Sequence, residues 1–119
     1  MAAPNIVGVT TIKGQTVGAA LASSSNDILV NSVGSGKVLK VNAIYVSNIT
    51  GSTNYDSTVG WYDASTSTTY YLGYAVTVPS KSTLEILGKS IYLEEGDKIN
   101  GLASANSALH IVVSYEEIS

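Results

Sequence analysis

The chain is written in short stretches of alternating apolar and polar residues, separated by clusters of Gly, Ser, Asn and Thr. The clearest stretch lies near its end. Leu109, Ile111, Val113 and Tyr115 alternate there with His110, Val112, Ser114 and Glu116, the period-two signature of a strand with one apolar face. Two shorter runs, 91–93 and 98–103, precede it. Glu94-Glu95-Gly96-Asp97 separates them and Ser104-Ala105-Asn106-Ser107 follows, both with the composition of turns. Three strands in about thirty residues leave no room for a crossover helix, so the structure is antiparallel β.

The same reading runs through the rest of the chain. Residues 6–13 (IVGVTTIK) and 16–22 predict two strands broken at Gly14-Gln15, an N-terminal arm or hairpin within residues 1–22. Residues 27–33 form the next strand, with Ile28 and Val30 on one face. Gly34-Ser35-Gly36 then reads as a tight turn into the longest run, 37–49. The apolar phase of that run begins on Leu39 and Val41 and shifts to Ile44 and Val46, which predicts a β-bulge near Asn42-Ala43. Residues 56–63 carry Val59 and Trp61 on one face, placing the single tryptophan in the core. Residues 69–77 put Tyr70, Leu72, Tyr74 and Val76 together, and Pro79 ends that strand. A short strand, 83–87, leads into the terminal block. A series of short strands separated by turns, without helical periodicity, predicts one all-β domain over 1–119: an antiparallel β-sandwich of jelly-roll type.

Composition narrows the function. The 119 residues are 45% hydrophobic but only 13% charged, against a usual charged share of about 25%. The exterior is therefore rich in hydroxyl and amide groups. Net charge is −3, and the cations are six lysines with no arginine, which disfavours nucleic acid as a partner. There is no cysteine, so neither a disulfide framework nor a thiolate metal site is available. No signal-peptide pattern or apolar run long enough to span a membrane is read, and the product is expected to be soluble and made in a cytoplasm.

Candidate chemistry is sparse. Gly34-Ser35-Gly36-Lys37 has the end of a phosphate-binding loop, but Asn31 and Val38 occupy positions that need Gly and Ser or Thr; it reads as a hairpin turn. Glu94, Glu95 and Asp97 place three carboxylates on one turn, without the ligand spacing of a calcium loop, and read as a solvated acidic turn. His110 is the only histidine and no serine sits in a nucleophile-elbow context. Asn48-Ile49-Thr50 matches a glycosylation sequon. Eight tyrosines without a phenylalanine suit a contact surface. No catalytic residue, cofactor or metal is assigned, and the chain is not expected to be an enzyme.

The segments Pro4-Asn5-Ile6-Val7, Val9-Thr10-Thr11-Ile12, Tyr92-Leu93-Glu94-Glu95-Gly96-Asp97 and Ser114-Tyr115-Glu116-Glu117-Ile118-Ser119, with the stretch 34–48, resemble small virion structural proteins of tailed phages, especially marine cyanobacterial phages. The resemblance implies a particle component located in the virion: a capsid decoration (cement) protein binding the major capsid protein or other virion proteins, with a small tail or fibre part as the alternative. It implies a homo-oligomer, most commonly a trimer. A carbohydrate-binding module is the alternative from another class. Both chain ends are candidate contacts: Ile6, Val7, Val9 and Ile12 as an unpaired β-branched run, and Glu116, Glu117 and Ile118 as a segment continuing past the last strand.

Overall fold

A computed structural model of the chain describes Gly8 and residues 11–119. Nine strands follow one another: β1 (Ile12–Ala20), β2 (Asn26–Val30), β3 (Val38–Asn48), β4 (Tyr55–Asp63), β5 (Thr68–Val78), β6 (Thr83–Glu85), β7 (Ile91–Leu93), β8 (Lys98–Ala103) and β9 (Leu109–Ile118). They form two antiparallel sheets. One has the order β1-β9-β3-β6, with β7 also on β3; the other has the order β2-β8-β4-β5. The pairs are nested: β1 with β9, β2 with β8, β3 with β6 and β7, β4 with β5. This is a long hairpin, bent at residues 64–67 and rolled so that β3 also meets β9 and β4 also meets β8. Rolling a hairpin in this way is the jelly roll expected from the strand count.

Leu39, Val41, Ile44 and Val46 from β3 meet Leu109, Ile111 and Val113 from β9 between the sheets. Val59, Ile99, Ala103 and Leu29 close the core from the other sheet, and Leu21, just past β1, joins them. Each such side chain contributes roughly 1.5–3 kcal/mol by leaving water. The alternation read in β9 is what puts Ile111 and Val113 inside and leaves Val112 at the surface. Trp61 lies at the margin of the core, partly buried and stacked on Tyr70 with ring centroids 5.6 Å apart.

The bulge expected in β3 is present. Val41 faces Tyr115 while Ala43 faces Ser114, so Asn42 is the extra residue. Its side chain fastens both flanks, donating from Nδ2 to Glu116 Oε2 (3.0 Å) and accepting from Ser90 Oγ (3.1 Å) at Oδ1. The slip carries Leu39 and Val41, then Ile44 and Val46, onto the same inner face.

Five expectations are corrected. Gly14-Gln15 does not break the N-terminal segment: β1 is one strand paired along its length with β9, and a ladder of nine residues outweighs the weak strand preference of glycine. Of the anticipated arm, residues 1–7, 9 and 10 lie outside the described residues. Gly34-Ser35-Gly36 is not a hairpin turn, because β2 and β3 belong to different sheets. In β2 an irregularity between Asp27 and Leu29 turns Leu29 inward and leaves Val30 exposed. In β5 eleven residues lie against nine of β4, with irregularities opposite Ser57–Val59 and Val59–Gly60. Ala75 takes φ 49° and its N–H finds the Thr58 hydroxyl (3.0 Å), so Tyr74 leaves the face it was expected to share. Finally, 116–118 do not continue past the last strand but belong to it.

Two neighbours on β9 test this architecture. Val113→Asp buries an unpaired carboxylate, which costs several kcal/mol against a total stability of about 5–15 kcal/mol; it is expected to abolish the cooperative thermal transition. Val112→Asp, on the opposite face, is expected to shift stability by about 0.5 kcal/mol or less. Equal effects in circular-dichroism melts would refute the assigned faces.

Candidate functional site

Of the chain-end candidates, Ile6, Val7 and Val9 lie outside the described residues. Ile12 opens β1 opposite Ile118 and is 61% exposed. Glu117 is paired with Lys37 (Oε1 to Nζ, 2.7 Å) and Glu116 accepts from Asn42. Ile118 is only 3% exposed, held between Ile12 and Val38 in the sheet. Its side chain is thus covered within the chain. The geometry leaves Ile12 as the accessible apolar member of the set.

The acidic turn is not solvated as expected. Glu94 is exposed, but Glu95 and Asp97 are 4% and 2% exposed. Their oxygens take up backbone donors of loops that would otherwise lack partners. Glu95 Oε2 accepts from Gly36 N–H. Asp97 Oδ1 accepts from Ala64 N–H and Oδ2 from Glu94 N–H, each at 3.0 Å. Asn31, also buried, completes the knot: Nδ2 donates to the carbonyls of Lys37 and Leu93 (2.9 Å each), and Oδ1 accepts from Ser35 Oγ (2.6 Å). Gly36 and Gly96 hold φ of 69° and 90°, which lets their N–H groups turn inward to Glu95 and to the Asn31 carbonyl. The carboxylates tie loops together. Among the described residues no group of three His, Asp or Glu side chains is placed to hold a metal ion.

The sequon asparagine has a similar task at the other end of β3. Asn48 is 3% exposed; its Nδ2 donates to the carbonyls of Thr53 and Val78, and its Oδ1 accepts from the N–H and hydroxyl of Thr50. The sequon threonine therefore bonds the asparagine of its own motif. Neither Asn31 nor Asn48 stood out as structural in the sequence, although each interrupts or ends an apolar run, the one signal available. At the β4–β5 turn, Asp63 accepts from the hydroxyl and N–H of Ser65 and from Thr66 Oγ1. The Ser65 hydroxyl foremost holds its carboxyl below the ordinary value of 3.8; desolvation opposes it, and the Ser65 N–H and Thr66 hydroxyl add to the lowering.

What the exterior offers is apolar and aromatic surface. On the outer face of the β4–β5 sheet, Tyr71 and Tyr74 meet edge to face with centroids 4.9 Å apart, and they are 57% and 69% exposed. On the other face of β5, Tyr70 stacks on Trp61, its ladder partner, with one side open to solvent, and Tyr62 lies under the Lys98 ammonium at 5.5 Å. On the opposite sheet a shallow hollow of about 320 Å³ is lined by Gly18, Ala19, Ala20, His110, Ile111 and Val112. It exists because β1 presents small residues beside the outward side chains of β9. His110 borders this hollow at the surface.

No protein-family model and no curated protein matches the chain. Among solved structures, the chain is similar to a protein described under the words "Bacillus endospore appendages form a novel family of disulfide-linked pili". The TM-score is 0.51 and the sequence identity 13%, covering 98% of this chain and 95% of that one. The likeness concerns the fold.

Two measurements check the site. Asp97→Ala strips the acceptors from Ala64 and Glu94, and is expected to cost about 2–3 kcal/mol in denaturant unfolding; an unchanged midpoint would refute the knot. Asp63 is a depressed carboxyl, so its support of the β4–β5 turn is present above about pH 4 and is lost as pH falls through its folded value. An NMR titration is expected to place its midpoint below that of the same carboxyl in the unfolded chain.

Proposed function

We propose that this chain is a non-enzymatic structural subunit of a particle and acts by burying its outer surface against other subunits. In the finer reading it is a phage capsid decoration protein bound to the shell, with a small tail or fibre part as the alternative location. The exposed tyrosine ridge of β5 carries the proposal. Tyr71 and Tyr74 present rigid rings with polar tips, the residue type enriched at protein interfaces. The resemblance of the chain-end and 34–48 segments to virion proteins supports the same reading. So does the sharing of this sandwich with a protein described from pili, which are themselves assemblies. This sequence contains no cysteine, so these residues can form no disulfide link to a neighbour, and occupancy of a shell would stabilise it by mass action.

The ridge also favours a second reading, a face for neutral glycans, since exposed tyrosine rings offer stacking surfaces to sugars as well as to proteins. One set of variants separates the two. Tyr71→Ser with Tyr74→Ser removes side chains that are mostly exposed, so the melting temperature is expected to change little. Quantitative mass spectrometry of purified particles is expected to show wild-type protein in proportion to the major capsid protein and the double variant depleted. Copy number far below that of the capsid protein assigns the chain to the tail instead. Absence from particles, with loss of glycan-array binding in the variant, selects the carbohydrate reading.

A further inference from the structure

Among the described residues the outer edge of β1 is free, and it differs from the other long edges of the sandwich. Among the described residues, β2 and β5 also lie at sheet edges, and both carry register irregularities. Such bulges protect an edge from pairing with another chain. β1 has none: its register with β9 runs unbroken from Ile12 to Ala20. It contains no proline and a single charge, Lys13.

The polarity of that edge follows from the ladder. Thr11 and Ser119 exchange both backbone bonds at 2.9 Å, and Leu21 N–H donates to the Leu109 carbonyl at 2.8 Å. With a continuous antiparallel register, the odd-numbered residues of β1 therefore bond β9. Ile12, Gly14, Thr16, Gly18 and Ala20 turn their N–H and C=O groups to the free edge. These five positions are symmetric about Thr16. Laid antiparallel on a second copy, Ile12 faces Ala20, Gly14 faces Gly18, and Thr16 faces itself. Every outward donor and acceptor then meets an outward acceptor or donor. Lys13 comes opposite Ala19 and Gln15 opposite Val17, so no like charges oppose.

The side chains agree with the backbone. Ile12 is the exposed large apolar residue of β1 and lies on the outer face, as its even number requires. The pairing sets it against Ala20 of the other copy, at the hollow formed by Gly18, Ala19, Ala20, His110 and Val112. We infer that two copies of this chain pair edge to edge through β1, joining their β1-β9-β3 sheets into one continuous sheet with each Ile12 seated at the other copy's hollow. A self-complementary edge closes under two-fold symmetry, whereas the family resemblance implies a threefold association. The inference rests on the fold alone and is independent of the particle reading.

The full chain in solution tests it. Light scattering coupled to size exclusion is expected to give twice the 12.3 kDa subunit mass, returning to one subunit in Ile12→Asp and in Thr16→Pro. The proline removes an outward N–H without touching the β9 ladder. Thr16→Cys, in a chain with no other cysteine, is expected to give a disulfide-linked dimer on mild oxidation, because directly opposed hydrogen-bonded residues lie about 5.5 Å apart. A Ser65→Cys control at the far turn is expected to pair as the unmodified chain does, without forming the disulfide link. Hydrogen exchange of the unmodified protein is expected to show Ile12, Gly14, Thr16, Gly18 and Ala20 amides protected at high concentration and exposed on dilution. This readout needs no variant to fold. A monomer mass at all concentrations, with those five amides unprotected, would overturn the pairing. So would a dimer that survives Thr16→Pro, or protection of those amides only when a different protein is added.

Discussion

Crossing between two sheets is the constraint on which this sandwich depends. Each crossing carries backbone N–H and C=O groups away from both ladders, and buried groups of that kind cost free energy unless something meets them. The solution is amide and carboxylate side chains at the crossings. Asn31 guards the passage from β2 to β3, and Asn48 the passage from β3 to β4. An asparagine suits the task because it donates and accepts at once. Glu95 and Asp97 can only accept, and accordingly they meet N–H groups. With Asn42 at its bulge, β3 is fixed at its start, middle and end by amides, and β6, β7 and β9 take their register from it.

Strand positions were legible because alternation is a local property, and the core list from β3 and β9 followed from it directly. The bulge at Asn42 was legible for the same reason: a phase change inside one run of apolar residues leaves a trace. The irregularities of β5 left none, since tyrosine is at home on either face and Tyr70, Tyr71 and Tyr74 disguise the phase. Which strands are neighbours was beyond local reading. Gly34-Ser35-Gly36 has the composition of a hairpin turn and serves as an inter-sheet loop, because the partner of Gly36, Glu95, comes from a distant part of the chain. The acidic turn was misread for that reason too. Its composition announces a turn, while its burial is decided by Gly36 and Ala64.

The outer surface divides into two kinds of edge and face. β5 is an irregular edge with exposed aromatic rings, suited to contact through side chains. β1 is a regular edge of small residues, suited to contact through backbone. The two surfaces are chemically distinct, and they lie on different sheets. The low charge of the chain leaves both free of long-range repulsion.

Nested pairing also sets an order on the birth of the molecule. Only β4 and β5 are joined by a short local turn; every wider pair brings together segments further apart along the chain, and the outermost, β1 with β9, joins its two extremes. A growing polypeptide can therefore zip the β4–β5 hairpin early. β3 waits for β9 across the full span of residues between them, and β1 has no ladder at all until residues 109–118 exist. Such long-range closure belongs to slowly folding topologies. During synthesis β1, the strand with the least protected edge, stays unpaired for longest, because the strand that covers its first side is the latest of the nine to be made.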